Sequence, residues 1–183
     1  IVTAQESRGL TSASTIRKHA MEHLQPSSFS DLLELLPGGR SQDPNLSRPN
    51  SIRLREANRS NNEQYATSSL GTSFLIDGAP ISSNANLQSL KNAWEPQVTA
   101  RDFSSMGVDM RSLTTDDISQ VEIVRGIPSV EYGDLTSGLI KIERKHGGKD
   151  LSLRLKADMG SKLLYLGKGW EWGKGWTLNT SLD

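Results

Sequence analysis

The chain has 183 residues, no formal net charge, 34% hydrophobic and 23% charged side chains, and no cysteine. That length holds one domain of ordinary size plus an appendage, and 16 glycines with 7 prolines predict a soluble body with much loop. The missing cysteine excludes a disulfide framework, thiol catalysis and cysteine-ligated zinc. The balanced charge gives no global field for nucleic acid, and no apolar run approaches the ~18 residues of a membrane helix.

Charge is nonetheless uneven, with four basic and ten acidic side chains over 61–139 but nine basic and five acidic over 140–183. Ile1 opens directly onto a polar stretch, so an export signal is expected upstream if the protein is exported. Ile16, Ala20 and Leu24 recur at helical spacing, which predicts a helix from Ser14 to Leu24. Ser28 and Asp31 form a capping box for a second helix carrying Phe29, Leu32, Leu33 and Leu36, stopped by Pro37-Gly38-Gly39.

Residues 40–70 and 82–112 are long polar regions, and within the first only Ser51 to Arg55 alternates like a strand. Thr72 to Ile76 is a short apolar strand ending in the turn Asp77-Gly78. Thr115 is placed to cap a helical turn through Ile118, with Asp116 and Asp117 at its start. Val121 to Arg125 alternates, with Val121, Ile123 and Arg125 on one side and Glu122 and Val124 on the other. Gly126 breaks that strand. A short helix is expected from Pro128 to Gly133, and a further strand from Leu139 to Arg144. The fold class is therefore α+β, with a small mixed sheet of four strands, short helices and long loops.

From Leu151 the pattern changes to strict period two, with Leu151, Leu153, Leu155, Ala157 and Met159 apolar between polar neighbours. A second alternation starts at Trp176, and Gly169 to Gly175 between them reads as a turn holding two tryptophans. Such strands suit either a hairpin of a soluble sheet or the first hairpin of a transmembrane β-barrel with its aromatic girdle.

Few residues suggest catalysis. His19-Ala20-Met21-Glu22-His23 fits the H-x-x-E-H metallopeptidase pattern, but no third ligand is marked and a solvated helix face accounts for it better. Asp109, Asp116 and Asp117 lack calcium-ligand spacing, and the glycosylation sequons at Asn58 and Asn179 are weak three-residue patterns. There is no nucleophile elbow and no phosphate-binding loop.

The most specific run is Asp117-Ile118-Ser119-Gln120-Val121-Glu122-Ile123-Val124-Arg125-Gly126-Ile127-Pro128-Ser129-Val130-Glu131-Tyr132-Gly133-Asp134-Leu135-Thr136-Ser137-Gly138-Leu139-Ile140-Lys141-Ile142. It resembles the signature of plug domains of TonB-dependent outer-membrane receptors. Phe74 to Ile81 is similar to that family's I-D-G-x-P-I segment, and Ser30 to Gly38 to its D-L-L-x-x-x-P-G helix. Gly133 to Gly138 is closest in style to Bacteroidetes receptors.

The resemblance implies a plug domain over 1–149 and the start of an outer-membrane β-barrel over 150–183. It tilts the period-two segments toward membrane strands. It further implies a gate without catalysis, metal or cofactor, in a transporter of a Gram-negative outer membrane. Its partners would be TonB, the protein's own barrel, a nutrient such as a siderophore, cobalamin, glycan or peptide, and in some members a surface lipoprotein. Ile1, Val2, Thr3 and Ala4 resemble the tail of a TonB-facing Ton box. Glu122 and Arg125 become candidates for a latch to the barrel wall, and Gly126, Gly133 and Gly138 the glycines of the plug motif. Trp94, Arg101, Asp102 and Phe103 become candidates for substrate contact. The alternative is a soluble α+β glycan-binding or adhesin module, which would explain the polar loops and tryptophans without a membrane.

Overall fold

The computed structural model describes residues 5–6, 12–36, 52, 54, 71–82, 107–125, 128–133, 138–157, 162–173 and 175–182. They form two sheets. The first has six strands in the order β1-β2-β5-β6-β3-β4, with β1 Gln5–Glu6, β2 Ala13–Arg17, β3 Thr72–Ile76, β4 Ala79–Pro80, β5 Ile118–Val124 and β6 Gly138–Arg144. β3 and β6 pair in parallel and every other pair is antiparallel, so the sheet is mixed.

The α+β expectation holds, with four longer strands flanked at each edge by a two-residue strand. One of the four is not the expected one. The segment from Ser14 to Leu24 is not one helix: Ala13–Arg17 is β2, and only Lys18–Leu24 forms helix α1. Ser14 and Ile16 are fully buried on one face of β2 while Arg17 is exposed, so period two holds there. The Ile16-to-Ala20 spacing spans a strand-to-helix junction. α1 ends at Gln25 in the left-handed region (φ 48°), whose amide donates to the Met21 carbonyl. Of the expected strand Ser51 to Arg55, Ile52 and Leu54 are described; neither lies in a strand, and Ile52 is buried in the core.

The second predicted helix is a 3-10 helix, Phe29–Leu35. The Asp31 carboxylate accepts from the amides of Ser27 and Ser28 at 2.7 and 3.0 Å, fixing its start. A 3-10 helix aligns side chains three apart, and Phe29 with Leu32, then Leu33 with Leu36, are buried accordingly. Leu36 is extended (ψ 144°), as a residue before proline must be.

The main core lies between this helix, α1 and one face of the sheet. Ile16, Phe74, Val121, Ile123, Ile140 and Ile142 meet Met21, Phe29, Leu32, Ile52 and Met110. Phe29 and Phe74 meet edge to face, their centroids 6.4 Å apart. Burying each such side chain stabilises the fold by roughly 1.5–3 kcal/mol. A smaller cluster of Ala13, Leu75, Val124 and Leu139 under Tyr132 covers part of the other face.

Two expected helical turns are different. Thr115 to Ile118 is a turn entering β5, closed by the Ile118 amide on the Thr115 carbonyl. Pro128 to Gly133 holds a single turn, the Tyr132 amide donating to Ser129.

The second sheet is an antiparallel meander of β7 Leu151–Ala157, β8 Lys162–Trp172 and β9 Trp176–Leu182. The expected hairpin is thus three strands. Gly169 and Trp170 lie inside β8, and the described turn residues are Gly173 and Gly175.

Candidate functional site

Cross-strand register sorts the meander into two faces. One carries Leu151, Leu153, Leu155, Leu164, Leu166, Trp170, Trp172, Trp176, Leu178 and Leu182, all exposed. The other carries Ser152, Arg154, Lys156, Tyr165, Glu171 and Asn179, and it is this polar face that meets the first sheet. A sheet covering a soluble core would turn its leucines inward. Here the arrangement is inverted.

The contact is built from three pieces of the first domain: the end of α1, the turn before β5, and the tether 145–150 that joins the sheets. Arg154 forks between two of them, with Nη1 2.8 Å from Asp116 Oδ1 and Nη2 donating to the Pro26 carbonyl at 2.7 Å. Lys156 Nζ donates to the Gln25 carbonyl at 2.6 Å. Both cations therefore sit at the C-terminal end of α1, on carbonyls that follow its last residue, a favourable place for positive charge. Asp116 Oδ2 is buried and has no hydrogen-bond partner among the described residues, so this carboxylate leans on Arg154. Tyr165 is buried, with its hydroxyl 3.5 Å from Asp117 Oδ1. Its ring occupies the space that a Cβ on Gly167 would need.

The tether runs across the same polar face. The Gly148 amide donates to Glu171 Oε1 at 2.9 Å, and Asn179 Nδ2 donates to the Lys145 carbonyl. Gly169 makes room for this crossing, because a Cβ there would meet the carbonyl oxygens of Gly147 and Gly148. Lys145 Nζ donates to the Asp116 carbonyl. Burial and the neighbouring Lys18 lower its pKa, opposed by Asp116 and Asp117.

The residues singled out from sequence fall elsewhere. Glu122 pairs with Lys141 at 3.3 Å within the sheet. Burial works against the Lys141 ammonium, yet Glu122 and Tyr132 beside it hold its pKa above the ordinary value. Arg125 Nη2 donates to Ser14 Oγ at 2.9 Å, and the Arg125 amide donates to the Ser12 carbonyl. Gly138 lies where β5 and β6 approach closely, and Gly133 is exposed with open space around it. Ile1, Val2, Thr3, Ala4, Gly126, Trp94, Arg101, Asp102 and Phe103 lie outside the described residues.

His19 and His23 stand together on exposed positions of α1, ring centroids 4.6 Å apart, and no group of three potential ligands occurs among the described residues. Arg154 and Asp116, which carry the ionic contact between the sheets, were not singled out as a pair. The available signal was a cation on the polar side of a period-two strand.

A family model described as TonB-dependent Receptor Plug Domain matches residues 6–139. No curated protein matches the chain.

Proposed function

The chain belongs to the TonB-dependent receptor plug family, and from that premise we propose that it is the gate of an outer-membrane active transporter, joined to the first strands of its own barrel wall. The division falls at about residue 149, with 150–183 beginning the wall. The observation that carries this reading is the inverted meander. Its leucines and tryptophans face outward, and its polar face holds Asp116, Pro26 and the tether. Strands of a membrane barrel alternate in that sense, apolar toward lipid and polar toward the lumen. A soluble adhesin or glycan-binding module leaves so large an apolar face unexplained.

In this reading the Arg154–Asp116 pair and the Lys156 cap hold gate to wall. Glu122 and Arg125 remain candidates for contact with wall strands elsewhere around the plug. Ile1 to Ala4 is proposed as the segment that TonB grips by strand addition. β1, which follows it, lies at the outer edge of the sheet and is held by two residue pairs, a weak attachment suited to release. Trp94, Arg101, Asp102 and Phe103 are proposed to meet cargo. The role is mechanical, and cargo recognition is shared with barrel loops.

Deleting the sequence through Ala4 in the intact receptor tests the coupling. Growth on iron-siderophores, cobalamin, glycans or peptides as candidate cargoes is expected to fail for the one cargo used, while binding of that cargo to cells persists. Energised uptake that survived the deletion would overturn the TonB-facing role.

A further inference from the structure

The outward face of the meander is ordered in rows. From the β8–β9 turn they run Trp172 with Trp176, Trp170 with Leu178, Lys168 with Leu151 and Thr180, Leu166 with Leu153 and Leu182, and Leu164 with Leu155. Among the described residues one cation, Lys168, thus stands between the tryptophan rows and the leucine rows, while Lys162, opposite Ala157, lies at the far end of the same face. Its direction is informative. The Lys168 ammonium lies 5.2 Å from the centroid of the Trp170 ring, so its stem runs toward the tryptophans and away from Leu166.

A lysine on an apolar surface bends its head toward the nearer aqueous boundary, and tryptophans collect at the level of lipid headgroups. Ring chemistry and lysine direction therefore mark the same boundary independently. The Thr180 hydroxyl donates to the Lys168 carbonyl at 3.3 Å, which leaves the ammonium as the donor that this row offers outward.

We propose that Lys168 and Trp170 form a seat for the phosphate of a phospholipid headgroup, with its acyl chains along Leu166, Leu153 and Leu182. The proposal rests on reading β7–β9 as wall strands. Charge complementarity selects the occupant: the phosphate accepts from the ammonium, the indole lies beside it at headgroup level, and the exposed leucines below match acyl chains. Leu151, in the Lys168 row, follows directly on the tether, so a lipid seated here fixes the depth of the wall where the chain enters it.

The test reconstitutes the intact receptor in nanodiscs of phosphatidylethanolamine and phosphatidylglycerol, then counts phospholipid retained after transfer to detergent by native mass spectrometry. Wild type and Lys168→Arg are expected to retain phosphatidylglycerol about fivefold more strongly than Lys168→Gln, the effect of one cation near an anionic lipid surface. Equal retention by wild type and Lys168→Gln overturns the seat, as does lipopolysaccharide or detergent retained in its place. Flotation with the same lipids separates the two levels of the argument. If neither protein floats, the wall reading fails and the seat with it; if both float and retain lipid equally, the seat alone fails.

Discussion

Replacing Arg154 by methionine is expected to loosen the contact between the two sheets by about 2 kcal/mol. Breaking a buried ion pair from one side costs about 3–5 kcal/mol, whereas an exposed pair contributes about 0–1. With side-chain exposures of 24% for Arg154 and 12% for Asp116, this pair lies midway between those limits. The variant also frees the Pro26 carbonyl, and it leaves Asp116 with neither oxygen bonded among the described residues. About 2 kcal/mol is roughly a thirtyfold change in local opening. Amide hydrogen exchange at Ile118 and Lys145, whose amides bond to Thr115 and Asp117 on either side of Asp116, reads it directly. Asp116→Asn and the double variant complete a cycle with an expected coupling of about 1–2 kcal/mol. Arg154→Lys keeps the charge but loses the fork and should recover only part of the effect. Strictly additive effects, or unchanged exchange at both amides, would refute the reasoning.

Three further outcomes follow from close contacts and charge. Gly138→Ala puts a Cβ 2.6 Å from the Val124 carbonyl oxygen and 2.8 Å from Leu54 Cδ1; the leucine can rotate but the strand cannot, so a loss of about 1–3 kcal/mol is expected in denaturant unfolding. An unchanged midpoint would show that β5 and β6 are free to part. Gly169→Val should lift the tether off the meander and speed exchange of the Gly148 amide, and unaltered exchange would mean that the crossing is not held there. The Arg144 amide, with the Arg144 guanidinium helping against desolvation, holds the Asp77 carboxyl below its ordinary 3.8. A depressed folded pKa gives stability that is present above 3.8 and is lost as pH falls through the folded value. Asp77→Asn should therefore flatten the dependence of the unfolding midpoint on pH below 3.8, and identical slopes in the two proteins would contradict this.

Local chemistry made much of the first sheet legible. Val121 and Ile123 alternate with Glu122, and Asp77-Gly78 both adopt positive φ (49° and 83°), as a two-residue hairpin turn between β3 and β4 requires. What local pattern hides is set by distant partners. Ile16 is a strand residue because it pairs with Val121, far along the chain, while its spacing to Ala20 and Leu24 imitates a helix. Leu163-Leu164-Tyr165-Leu166 shows no alternation because Leu163 and Tyr165 face inward and are apolar as well, so β8 does not stand out. The Arg154–Asp116 contact joins residues on opposite sides of the tether, and no spacing rule connects them. Glu122 and Arg125 drew attention as charges on an apolar strand, and their described partners, Lys141 and Ser14, lie on β6 and β2 of the same sheet.

The tether has one more consequence. Between Arg144, the last residue of β6, and Leu151, the first of β7, the chain spans at most ~25 Å even when fully drawn out. In the proposed barrel that is no more than the ~25 Å height of the apolar band. It is also stitched to the meander through Lys145 and Gly148. On the proposed reading a stopper on so short a leash stays in the bottle, and cargo would pass where part of the plug changes shape in place, for which the edge strand β1, held by two residue pairs, is a candidate.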